Sequence, residues 1–87
     1  MSNVETLRRQ YAIVNYLQTQ TRYLRRPVTA SQIYQYLSER NVHATLRMVQ
    51  RDLLILQRAI PGVERRHGTP AGWTMTPTDL FFNSEKE

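Results

Sequence analysis

The sequence predicts a mainly α domain with a small β hairpin, three helices followed by two strands. Three observations carry that expectation. Apolar residues recur at three- and four-residue spacing in three successive stretches before Pro61. Beyond Pro61-Gly62 the period changes to two, on either side of the turn-forming run Gly68-Thr69-Pro70-Ala71-Gly72. The 87 residues suffice for one modest core and not for two.

The first helix is expected from about Val4 to Thr19, capped by Asn3. Val4, Leu7, Tyr11, Val14 and Leu17 or Gln18 trace one face, with Ile13 and Tyr16 off it. That apolar sector is wider than one packing contact requires. The excess is either core or a second surface that meets another subunit. Gln20 to Arg26 is polar and basic, and Arg26 is pushed toward an extended conformation by Pro27. Val28 supplies a very short strand or a buried anchor.

Thr29 caps the second helix, and Gln32 three residues later completes a capping-box pattern. This helix spans about Ala30 to Arg40, with Ala30, Ile33 and Leu37 facing inward and Tyr34 or Tyr36 beside them. Asn41 ends it or begins the turn, which Val42 pins. The third helix has Thr45 at its N-cap and ends near Ala59. Leu46, Val49, Leu53 and Leu56 fall on one face, and Arg47, Arg51 and Arg58 on the other, with Met48 and Ile55 beside them. Asp52 lies toward the inner side, where an acid pairs with an arginine or a backbone donor. In the hairpin, Val63, Arg65 and His67 alternate with Glu64 and Arg66. Trp73 and Met75 point together onto the helices.

Composition narrows the partner. Of the twelve basic residues eleven are arginine, against seven acids. Residues 77–87 carry −2 and residues 1–76 carry +7. A basic body suits a polyanion, and the guanidinium fork suits phosphate and guanine edges. Aromatic residues are not interleaved with the basic ones as on a single-strand stacking platform, which favours duplex DNA. Cysteine is absent, which excludes disulfides, thiolate metal sites and a cysteine nucleophile. His43 and His67 are isolated, no metal-spaced cluster or phosphate-cradling loop occurs, and neither an enzyme nor a cofactor is expected. No small-molecule pocket can be inferred. No segment reads as a signal peptide or a membrane span, so a cytoplasmic, nucleoid-associated location is expected.

Helix, helix, tight turn, basic helix, hairpin is the order of a winged helix-turn-helix domain, with three helices and a two-stranded wing. The residues themselves carry a closer likeness. Arg26-Pro27-Val28-Thr29-Ala30, then Ile33 to Leu37, then Thr45 through Leu53, resemble the N-terminal domain of bacterial transcriptional regulators with WYL domains and, more distantly, DeoR-type repressors. Gly72-Trp73 resembles that family's wing, and Leu7-Arg8-Arg9-Gln10 with Ile13 and Val14 its first helix. The likeness covers roughly residues 5 to 76. Met48 stands where the family usually has threonine, so base preference does not carry over there. The family's ligand-sensing WYL domain does not follow the wing here. The chain is therefore read either as an excised DNA-binding domain or as a small stand-alone regulator of the kind phages and mobile elements encode.

The resemblance implies a double-stranded DNA-binding regulator, a repressor, with helix 45–58 in the major groove. Arg47 and Arg51 would reach base edges, with Thr45, Met48 and Gln50 near bases or phosphates. Arginine can bond guanine, glutamine can pair with adenine, and methionine can touch a thymine methyl. Arg65, Arg66 and His67 would place wing 62–76 near the minor groove or phosphates. Arg65 and Arg66 point to opposite faces, so one of them is better aimed. Ser31, Gln32, Arg26 and Arg58 are candidate phosphate contacts, and Arg22 and Arg25 could extend that footprint. Residues 1–76 form the domain and 77–87 a tail, whose Leu80, Phe81 and Phe82 either cap the first helix or form a dimer contact. A homodimer is expected because so small a core is marginally stable alone. Two alternatives stay open: an architectural or excision-directing DNA-binding protein of a phage or mobile element, and a winged-helix module that binds protein.

Overall fold

A computed structural model of the chain describes residues 3–23, 26–68 and 70–75. Its elements in order are α1 (Asn3–Tyr23), β1 (Val28–Thr29), α2 (Ala30–Glu39), α3 (Leu46–Ala59), β2 (Val63–Arg66) and β3 (Gly72–Met75). The three strands form one antiparallel sheet in the order β1-β3-β2. The expected two-stranded hairpin is thus a three-stranded sheet. Val28 is both strand and anchor: it pairs with Trp73, and its side chain is buried. Two residues carry too weak a periodicity to decide between strand and anchor, and the partner strand makes them a strand.

The core lies where α1 packs on α2 and β3, and α3 packs on α2 and β2. Ile13 and Leu17 enter it from α1, Ile33 and Leu37 from α2, and Val49, Leu53 and Leu56 from α3. Val28, Val63, Trp73 and Met75 close it from the sheet. Trp73 and Met75 do face the helices together, as their spacing requires.

Local signals set the helix ends. The Gln32 N–H donates to Thr29 Oγ1 at 3.2 Å, and the Thr29 N–H donates to Gln32 Oε1 at 2.9 Å, closing the capping box. At the other end of α2, Asn41 adopts φ 61°. The Asn41 N–H donates to Ser38 O at 3.1 Å and the Val42 N–H to Leu37 O at 2.9 Å. This is a Schellman ending, with asparagine in the left-handed position and Val42 packed against the core. It turns the chain directly into α3, whose cap is Thr45.

Two sequence expectations are corrected for α1. The helix runs on to Tyr23, through the polar stretch expected to be loop, and begins at Asn3 itself. Its core face is also different. Ile13 and Leu17 are fully buried and Tyr16 is half-buried, stacked on Tyr36 with ring centroids 4.2 Å apart. Val4, Leu7 and Tyr11 are 66%, 64% and 74% exposed. The reason is a polar contact. Arg9 and Gln10 lie on the buried side of α1 because both bind Asp52 of α3, so the apolar stripe does not mark the inner face there. The tail, 77–87, lies outside the described residues.

Candidate nucleic-acid interface

The amphipathic pattern of α3 is what orients it. Val49, Leu53 and Leu56 are sunk in the core, and the opposite face is left to solvent. That face carries Arg47, Gln50, Arg51 and Arg58, all exposed. Leu46, expected inward, is 39% exposed, because the first turn of α3 projects past the core. Met48 is half-buried at the flank rather than on the outer face. Thr45 is exposed, and its hydroxyl oxygen accepts from the Met48 N–H at 3.1 Å. One lone pair of that oxygen therefore serves the helix cap, and the O–H and the second lone pair are left for an outward contact.

Asp52 holds the helix in this orientation. Its side chain is almost wholly buried, and both its oxygens are used. Arg9 Nε donates to Oδ2 in a close contact, Arg9 Nη2 donates to Oδ1 at 3.2 Å, and Gln10 Nε2 donates to Oδ1 at 3.1 Å. The hydrogen bond that Arg9 donates to Asp52, more than the charge of Asp52, raises the Arg9 guanidinium above its ordinary pKa against the opposing effect of burial. The expected arginine partner is thus Arg9. Gln10, which the sequence reading left unassigned, completes the set. This bidentate pair joins α1 to α3 on the side that the apolar residues of α3 already turn inward.

The hairpin register separates its two arginines. Arg65 pairs with Trp73 and Val63 with Met75, so Arg65 lies on the same side of the sheet as the core residues. Arg66 pairs with Gly72 on the other side, where its guanidinium lies 3.5 Å from Glu64. Arg65 lines a cleft of about 370 Å³ together with Gln50 and Leu54 of α3, Thr29 and Ser31 at the start of α2, and Pro70, Ala71 and Trp73 of the hairpin. Of the two arginines, Arg65 is therefore the one brought toward α3. His67 is exposed just beyond β2.

Among the candidate phosphate ligands, Ser31 faces this cleft, whereas the Gln32 side chain is committed to the capping box. Arg26 is exposed immediately before β1. Arg58 borders a second, open depression with Arg51, Leu54 and Ile55. Arg22 is exposed in the last turn of α1, and Arg25 lies outside the described residues.

Sequence reasoning passed over Leu54, which is 54% exposed in the midst of the arginines. At four residues before Arg58, three after Arg51 and seven after Arg47, its position was readable from spacing alone. It was missed because leucine is conventionally assigned to the core. Chemically, the outer face offers guanidinium forks, one amide and a central apolar contact. That set matches guanine, adenine and thymine-methyl edges, respectively. The chain matches no family model, no curated protein and no solved structure. Among the described residues, no helix is long and apolar enough to cross a membrane.

Proposed function

We propose that this chain is a sequence-specific double-stranded DNA-binding transcriptional regulator, a repressor, built as a winged helix-turn-helix. In this reading α3 enters the major groove, with Arg47, Gln50 and Arg51 toward base edges. The β2-β3 hairpin is the wing, and Arg65 follows the phosphates between the two grooves. Arg58, Arg26 and Ser31 add phosphate contacts. The observation that carries the reading is the shared outward face of Arg47, Gln50, Arg51 and Arg58 on a helix whose apolar face is sunk in the core and whose buried Asp52 is paired with Arg9. The three-helix, three-strand arrangement is compatible with it, as is the resemblance to the DNA-binding domain of WYL regulators. A second copy would read the other half of an inverted repeat, about 34 Å away.

One observation favours a second reading. Leu54 and Ile55 are both exposed on the arginine side of α3, and apolar groups among cations suit an acidic, apolar protein surface. Salt separates the two. Counterion release makes duplex binding fall steeply and linearly on a log–log plot as salt rises. In a titration against the operator, Arg51→Ala weakens specific binding by ~1–3 kcal/mol and leaves the non-specific affinity almost unchanged. An Arg51→Ala variant that binds the operator as tightly as the parent would refute the assignment.

A further inference from the structure

The face of α1 that the core does not use is itself patterned. Val4, Leu7 and Tyr11 follow one another at three- and four-residue spacing, all about two-thirds exposed or more. Val14, next in the row, is half-buried and packs against the core, so the row is continuous with the interior. Something apolar fits here, and the question is what.

A second copy is the weaker occupant. A second copy must come from solution and give up its translational and rotational freedom on docking. A segment of the same chain needs far less area, because its tether already supplies a high effective concentration.

The connection is favourable as well. β3 ends against α1, where the Met75 N–H donates to Thr21 Oγ1 at 3.1 Å. Thr21 lies on the border between the buried face and the exposed row. From Thr21 back along the helix, Tyr11 is ~15 Å away and Leu7 ~21 Å. From Met75 an extended chain reaches ~17 Å at Leu80 and ~23 Å at Phe82. The only adjacent aromatic pair in the chain, Phe81-Phe82 with Leu80 before it, thus falls within reach of the row.

We propose that Leu80, Phe81 and Phe82 of this chain dock on Val4, Leu7 and Tyr11 of α1, so that the tail covers the outer face of the first helix. The proposal is independent of DNA binding, and its test uses no DNA. The absence of native cysteine makes a thiol pair unambiguous. Arg8→Cys and Asn83→Cys, introduced together in the full chain, flank the two proposed surfaces without altering either. The control pair is Ser38→Cys with Asn83→Cys, Ser38 being exposed on α2. Under mild oxidation at micromolar protein, the first pair closes an intramolecular disulfide at least ~10-fold faster than the control. Adding Phe81→Ser and Phe82→Ser brings it down to the control rate. Closure no faster than the control overturns the proposal. Predominant bridging between molecules, with doubled mass on non-reducing gels, overturns it too and assigns the row to a second copy.

Discussion

Asp52 and Tyr16 show how single side chains tie the elements of this fold together, by two different kinds of interaction. Asp52 is buried with its charge matched by Arg9 and its remaining acceptor capacity shared with Gln10. Removing one partner of such a pair strands the other, whereas replacing both with apolar groups does not. Asp52→Ala should lower stability by about 2–4 kcal/mol in urea unfolding, somewhat relieved because Arg9 can swing toward water. Arg9→Met combined with Asp52→Leu should recover most of that loss. A double variant as unstable as Asp52→Ala would show that the network contributes more than charge matching. Tyr16 packs α1 on α2, and burial, with Glu39 and Tyr36 adding to it, raises its pKa above the ordinary 10.0. The fold therefore favours the neutral phenol. Its contribution is complete below the ordinary value and declines as pH rises from there through the folded-state value. Tyr16→Phe should flatten the fall in urea midpoint at alkaline pH. An unchanged slope would assign that fall to other groups.

At the scale of elements, the β1-β3 contact is closer than a strand pair requires. A Cβ at Gly72 would lie 2.4 Å from the Pro27 Cβ, and a proline ring has little freedom to withdraw. Gly72→Ala should cost about 1–3 kcal/mol by pushing β1 off β3. The check is the urea midpoint, and an unchanged midpoint would mean that Pro27 gives way freely. What the sequence made legible at this scale followed from strong local signals. The capping box at Thr29 and Gln32, the Asn41-Val42 ending and the Thr45 cap all form from backbone chemistry within a few residues. The face of α3 was legible because its apolar and basic residues segregate cleanly. α1 was misread because it carries two apolar rows. The inner one, Ile13 and Leu17, gives way toward the N-terminus to Arg9 and Gln10, whose burial depends on Asp52 more than forty residues away. Periodicity counts such residues as solvent-facing. At Val28 the choice between strand and anchor stayed open for a related reason, since two residues become a strand only through Trp73 and Gly72. In the candidate site, spacing identified the arginines, but only the hairpin register could separate Arg65 from Arg66.

In the proposed function, the whole molecule presents one basic helix face and one side of a hairpin to duplex DNA. The net charge of +5, with the positive charge gathered in residues 1–76, supplies attraction to any polyanion. In the proposed reading, specificity comes from the outer face of α3. The most direct measurement is a binding selection from genomic fragments with the purified protein, including the DNA upstream of its own gene, run in parallel with Arg51→Ala. A sequence-specific regulator enriches an inverted repeat near a promoter, and the variant loses that enrichment while weak, salt-sensitive binding persists. Failure to retain any DNA at low salt would contradict it and turn the arginine face toward a protein partner.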